Sequence, residues 1–307
     1  MIKNKNAFLC YSFSFLLLTF YACENEFELE IPEQNKLIIL SNFNQDSIIN
    51  LVLGVPVGDS NGSIIYPNNA RIELFENGNY VENLTYVASF PGFVSTYQSS
   101  IIPKANSRYK IIATYEDRPE AKAENVIPER AKINFIEPQT SDTVQHPFFR
   151  YVVKSKLNID PLENGPNYFH LKAFLRHQYL DIFLGDTLSY FLNKDIKIEI
   201  PPSINHLDIS HEEGTLVAQV NLINSLQIPL DFNFGIDPAA DDWNIILEFR
   251  NVSESYYLFH ESVGKQERAG PNSNFLSIPS TLIYNNIENG IGNFSAYSVS
   301  IDSLFEK

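Results

Sequence analysis

From Lys36 onward the hydrophobic positions follow a period of two or short apolar runs, bounded by Gly, Pro, Asn and Asp. That is the pattern of short β-strands. Leu37–Leu40 and Ile48–Val57 are apolar runs. Ala70–Glu76 alternates strictly and meets Asn77-Gly78, the pair suited to a type I′ hairpin turn because both residues tolerate positive φ. Phe93–Gln98, Tyr109–Tyr115 and Glu120–Val126 follow, with Tyr109, Ile111, Ala113 and Tyr115 on one face. Strands this short, with turns every 8–12 residues, predict an Ig-like β-sandwich over 36–128.

Ile127-Pro128-Glu129-Arg130 marks a joint. Beyond it, 129–307 reads as a second β-rich domain with strands at Lys132–Ile136, Arg150–Ile159, Asn167–His177, Ile196–Ile200, Thr215–Ile223, Ile228–Phe234 and Trp243–Arg250. One segment, Ser253–Arg268, departs from period two. Tyr256, Phe259 and Val263 recur at helical spacing, with Ser253 or Ser255 as N-cap. The fold class is therefore mainly β with one late helix.

The first residues differ. Lys3 and Lys5 precede an apolar stretch from Ala7 to Ala22, which is shorter than the roughly 20 residues a spanning helix needs and suits a signal peptide, 1–22. It ends in Phe20-Tyr21-Ala22-Cys23, which resembles the lipobox of bacterial lipoproteins, with Phe20 in place of the usual Leu. Cys10 lies within the signal, so Cys23 is the lone cysteine of the mature chain. Lipidation of Cys23 is expected, and an ordinary secreted protein cleaved after Ala22 is the alternative. Residues 23–35 read as a tether. Glu24, Glu26 and Glu28 resemble the surface-export signal of Bacteroidota lipoproteins, or else simply solvate that tether.

Charge narrows the picture. The chain has 307 residues, with 22 Lys+Arg against 37 Asp+Glu and a net charge of -15. An acidic excess argues against nucleic acid, which needs a basic face. At 44% hydrophobic the chain is a folded protein and not a disordered one.

Near the C-terminus runs Asn285-Asn286-Ile287-Glu288-Asn289-Gly290-Ile291-Gly292-Asn293-Phe294-Ser295-Ala296-Tyr297. It resembles the closing signature of a Bacteroidota lipoprotein family catalogued as domain of unknown function 4249, with Asn289 standing at the first of two central glycines. Leu37–Asn42 is similar to that family's first strand, with Ser41 in place of Gly. The resemblance implies an outer-membrane lipoprotein that partners a TonB-dependent transporter in nutrient uptake, and implies no catalysis. The alternative is a structural or assembly factor of the cell envelope without a small ligand. Asn289, Gly290, Gly292, Phe294 and Tyr297 are the candidate ligand or partner loop. A tight turn before a last strand, Ser295–Leu304, is the plainer reading of the same residues.

Other chemistry is sparse. No nucleophile elbow, phosphate loop or dinucleotide fingerprint occurs, so no cofactor and no catalytic residue is expected. A glycosidase carboxylate pair is not legible from sequence, because such pairs meet only in the fold. His206, Asp208, His211, Glu212 and Glu213 lack zinc-site spacing and read as a solvated loop; no metal is expected. His170 and His177 lie seven apart on a strand and face opposite sides. Asn42, Asn44 and Asp46 mimic the opening of a calcium loop whose closing Glu is missing. Asp237, Asp241 and Asp242 before Trp243 read as a capped turn. The 23 Phe and 16 Tyr read as β-core. Ser47, Thr143, Thr187 and Ser303 each follow Asp and precede an apolar residue, the pattern Bacteroidota use for O-glycosylation.

Overall fold

The structure, a computed structural model, describes residues 35–57, 63–90, 93–145, 148–160, 162, 167–183, 186–209, 214–220, 225–235, 242–269 and 282–303, with the backbone alone for 135–145, 148–151, 180–183, 186–190, 219, 220 and 269. The signal, Cys23 and the three tether glutamates lie outside the described residues. Asn35–Lys307 form one compact unit.

The chain is mainly β, with one late helix. The first nine strands are β1 (Leu37–Phe43), β2 (Asn50–Pro56), β3 (Ile64–Ile65), β4 (Arg71–Glu76), β5 (Asn79–Asn83), β6 (Thr85–Val87), β7 (Thr96–Gln98), β8 (Arg108–Thr114) and β9 (Ala121–Val126). Then come β10 (Ile133–Gln145), β11 (Phe148–Ile159), β12 (Asn167–Phe183), β13 (Asp186–Ile196), β14 (Ile198–Glu199), β15 (His206–Ile209), β16 (Gly214–Val220), β17 (Leu226–Gly235) and β18 (Asp242–Val252). The helix α1 (Glu254–Ala269) and the final strand β19 (Gly290–Ser303) complete the order.

Local sequence explains much of this. Asn77 (φ 50°) and Gly78 (φ 84°) supply the two positive φ values of the turn between β4 and β5. Ile72 and Leu74 on β4 face Tyr109, Ile111 and Ala113 of β8 within one core. This first core lies between the sheet β5-β4-β8-β9 and the run β1-β2-β7-β6 of a larger sheet. A second core lies between the sheet β10-β11-β17-β14 and the β12–β18 part of that same larger sheet. Phe169, Leu171, Ala173 and Leu175 alternate into it from β12.

The last strand joins the two halves. Leu37 to Phe43 of β1 pair in parallel with Gly290 to Ala296, while Val252 to Ile246 of β18 pair antiparallel with Tyr297 to Ser303. One eleven-stranded sheet therefore runs through both sandwiches. Ile287, Phe294 and Ala296, from the far end of the chain, are buried in the first core.

Here the sequence-based reading needs correcting. Gly290-Ile291-Gly292 is not the turn before the strand. It is the strand, paired with Leu37-Ile38-Ile39. The turn sits just before, where Asn289 takes φ 56° and Gly290 N–H donates to Ile287 O. The glycines serve close approach. A Cβ on Gly292, whose φ is 123°, would lie 2.0 Å from the Ile39 carbonyl oxygen. A Cβ on Gly290 would meet the Leu37 carbonyl oxygen at 3.0 Å and the Ala121 Cβ at 3.2 Å.

The helix begins where Ser253 accepts a hydrogen bond from Tyr256 N–H at 3.3 Å, so Ser253 is the N-cap. Its buried stripe is Tyr256, Tyr257, His260 and Gly264, with Phe259 and Val263 half-buried beside it. The helix covers the face of the β12–β16 region opposite the second core, with Tyr168, Ile209, Leu216 and Val252 beneath it. No helix among the described residues is long and apolar enough to cross a membrane.

Two glycine substitutions separate strain from clash. Gly292→Ala combines a left-handed φ with a backbone collision and is expected to cost about 3 kcal/mol or more. Gly78→Ala has nothing within 4 Å of its new Cβ, so it pays only the left-handed penalty, about 1 kcal/mol. Urea unfolding midpoints of the two variants check this order.

Candidate functional site

The C-terminal signature and the helix N-terminus meet at the joint between the sandwiches. Along Gly290–Ala296, where one edge of β19 pairs with β1, the other edge has not yet reached β18 and has no strand paired to it among the described residues. Side chains replace one. Asn285 Oδ1 accepts from Gly292 N–H and from Ile287 N–H, both at 3.0 Å, while its Nδ2 donates to Gly290 O at 3.0 Å. Asn286 Oδ1 accepts from Phe294 N–H at 2.9 Å and its Nδ2 donates to Phe294 O at 2.8 Å. Ser253 then takes over: its N–H donates to Ala296 O at 2.9 Å and its Oγ accepts from Ala296 N–H at 3.2 Å. These bonds answer buried backbone groups that would otherwise go unpaired. Asn125 reaches in from β9, donating to Phe294 O at 3.0 Å and to Ser255 Oγ at 2.5 Å.

The candidate loop residues thus fall in different settings. Asn289 is exposed and donates to Glu120 O. Gly290 and Gly292 are buried against β1. Phe294 is fully buried, its ring 4.6 Å from that of Phe43. Tyr297 is half-buried beneath the Arg250 guanidinium, 4.7 Å from its ring centroid.

A polar network runs from this point under the helix. Arg250 donates to Glu248 Oε1 at 2.5 Å and to the Tyr256 hydroxyl at 2.9 Å, and that hydroxyl also meets His170 Nδ1 at 2.9 Å. Burial opposes the charge on Arg250, yet Tyr256, Glu248 and Tyr297 together outweigh it and hold the guanidinium above its ordinary pKa. On the β1 side, Asn293 and Ser295 donate to Asn42 Oδ1 at 3.1 and 2.6 Å, and Asn42 Nδ2 lies 3.3 Å from His260 Nε2.

One cleft lies at the joint and another beside the second half of the helix. The first, of about 650 Å³, has the Ile127–Glu129 linker, Asn125, Tyr168 and the helix start along its walls. The other, about 630 Å³, lies between Lys197, Asp208, Thr215, Gly264 and Arg268. Both walls mix amides and charges with a somewhat larger apolar surface, which suits a ligand with both polar and apolar groups.

The remaining sequence candidates separate. His206 and Asp208 belong to strand β15 and not to a loop; Asp208 accepts from Thr215 Oγ1 at 3.0 Å, and His206 Nδ1 lies 2.7 Å from Ile204 O. His211, Glu212 and Glu213 lie outside the described residues, as do Asp237 and Asp241. Among the described residues no three His, Cys, Asp or Glu side chains group as metal ligands. Asn44 and Asp46 turn apart from Asn42: Asn44 Oδ1 accepts from Asp46 N–H, and Asp46 pairs with Arg130 through both carboxylate oxygens. His170 and His177 are both buried on opposite faces of β12, His170 under the helix and His177 on the side of the second core. Ser47 is exposed in the β1–β2 loop and Ser303 at the end of β19. Thr143 and Thr187 stand near the turns of the β10–β11 and β12–β13 hairpins, opposite Arg150 and Ile182.

The family profile described as Domain of unknown function (DUF4249) matches residues 24–302. The chain belongs to this family. None of the curated proteins matches it. The match begins one residue after Cys23 and ends one residue before Ser303, so it includes the whole joint. What reading the sequence missed was the role of Asn285, Asn286 and Asn125. Their signal was there in the paired asparagines before the glycines, but a side chain that imitates a strand is visible only once the strand's free edge is known.

Two predictions follow the geometry. Asn286→Ala leaves Phe294 N–H unpaired in the interior, costing about 2 kcal/mol, whereas Asn289→Gly keeps the left-handed turn and stays within about 0.5 kcal/mol of the parent; thermal melts compare them. Burial pushes the phenols of Tyr109 and Tyr257 up to about 12, with Glu76 and Glu261 beside them. The unfolded chain then loses these protons first, near pH 10. The stability they contribute is intact below pH 10 and declines as pH rises toward 12. Unfolding midpoints between pH 9 and 12 should fall, and Tyr257→Phe should flatten the fall.

Proposed function

We propose that the protein is an outer-membrane surface lipoprotein, held by a lipid on Cys23, that docks on a TonB-dependent transporter and assists nutrient uptake by binding and not by catalysis. The observation that carries the proposal is Cys23 itself. It closes an apolar leader, it is the mature chain's lone cysteine, and the family match starts at the very next residue. A single acyl chain anchors weakly, while two or more hold a protein stably. With the leader removed, Lys3 and Lys5 go with it, and 20 basic residues remain against 37 acidic ones. Such a surface is solvated and resists adventitious adhesion.

The transporter as partner follows from the family resemblance. The joint supports a docking role in a physical sense: the polar residues of the signature are engaged in holding two sandwiches in one fixed relation. That is the requirement on a rigid adaptor between a membrane and a barrel. The second sandwich, carrying the helix and the 630 Å³ cleft, is the recognition part of this proposal.

The test is direct. In cells fed an alkyne analogue of palmitate, the parent protein should take up the label and sediment with outer membranes, and Cys23→Ser should do neither. Affinity capture of the labelled protein from solubilised membranes should bring a barrel transporter with it. Labelled protein that captures no barrel would favour the envelope-assembly role instead.

A further inference from the structure

One edge of the first sandwich is uncharged in a chain that is otherwise acidic. Between Glu82 and Lys104 the sequence holds no charged residue, and none occurs between Asp59 and Arg71. These two stretches contain β6–β7 and β3. In the loop joining β6 and β7, Phe90 is 83% exposed and Phe93 is 76% exposed, and Phe93 N–H donates to Phe90 O across the turn at 3.0 Å. Ile64, Ile65 and Tyr66 are exposed as well. Two phenylalanines this exposed, three positions apart, are unusual for a soluble surface.

Strand register places these groups together, at the end where the tether enters. Ile38 of β1 lies opposite Gly54 of β2, so the start of β1 and the end of β2 coincide. Pro56 lies opposite Ile64, which brings the β2–β3 hairpin to that end. Leu51 lies opposite Tyr97 and Val87 opposite Thr96, so the chain from Val87 to Thr96 projects the same way. The Asn77-Gly78 hairpin, with exposed Tyr80, is at the other end of the sandwich.

We infer that the Phe90–Phe93 turn, with Ile64 and Tyr66 beside it, seats in the lipid interface of the membrane that carries the anchor. The inference rests on the proposed lipid at Cys23. Cys23 and Leu37 are joined by 14 peptide steps, a length whose average coil span is only about 20 Å. Strand β19 alone is about 46 Å long at 3.3 Å per residue. The tethered end therefore spends its time near the bilayer, and lipid is the apolar phase within reach. Aromatic side chains on an uncharged loop are what the headgroup boundary accepts. Glu116 and Asp117 are exposed in the β8–β9 turn at this same end, on the other sheet. They keep that side in water, so the sandwich meets the membrane on its β6–β7 edge.

The test uses the acylated full chain in phosphatidylcholine vesicles whose acyl chains are brominated. Trp243 alone sets the baseline emission. Phe93→Trp should lose a clear share of its added emission to the bromines, and Tyr80→Trp should lose none. Neither position is buried, so both variants should melt with the parent. If the parent fails to float with vesicles, the anchor reading falls. If it floats and Phe93→Trp is unquenched, this inference alone falls. Phe93→Trp that is unquenched in vesicles but shielded from iodide in native membranes would also overturn it, assigning the turn to a protein partner.

Discussion

At Gly292 the backbone of the last strand lies against the backbone of the first, with no room for a single additional carbon. That contact fixes the register of β19 on β1, and the register decides where each later residue of β19 falls. Phe294 drops onto Phe43 in the first core. Ala296 meets Ser253 at the mouth of the helix. Tyr297 comes under Arg250. From there β18 is already in position to take the remaining residues. A slip of one place would turn every one of these side chains to the wrong face of the sheet, so the joint admits one arrangement.

Around that contact the protein uses hydrogen bonds where most interiors use hydrocarbon. Asn285, Asn286 and Ser253 stand in for a strand that ends too early, and the Glu248–Arg250–Tyr256–His170 chain fills the space under the helix. Buried polar groups of this sort add little net stability when satisfied, but they are costly to misplace. Their effect is on geometry. The two sandwiches are built on one sheet and pinned at one point, and the end where β1 begins keeps a set orientation relative to the cleft near the helix.

Much of this was legible in the sequence, for identifiable reasons. Period-two runs such as Ala70–Glu76 and Tyr109–Tyr115 announce half-buried strands directly, and Asn77-Gly78 announces its own turn. Ser253 and Ser255 both fit a cap by type and position, and the hydrogen bond to Tyr256 N–H selects Ser253. The helix was found through Tyr256, but its buried stripe runs through His260 and Gly264, residues whose polarity or lack of side chain hides them from a hydrophobic pattern. The two glycines at 290 and 292 read as a turn because glycine so often marks one, and here the turn does end at their border, at Asn289. Only the distant partner, β1, makes them a strand. β15 was hidden for a similar reason: His206 and Asp208 look solvated until Thr215 is seen opposite. Residues whose role depends on a neighbour hundreds of positions away carry no local mark of it.

Leu37 and Gly290, hydrogen-bonded neighbours in the parallel ladder, stand 253 positions apart in the chain. Closing so long a loop is entropically slow, and contacts of this range delay folding. During synthesis the first sandwich emerges with β1 still lacking one neighbour, an open and strongly apolar edge. It remains incomplete until almost the last residue has arrived. The two halves therefore reach their final form only once the last strand has been made and has found β1.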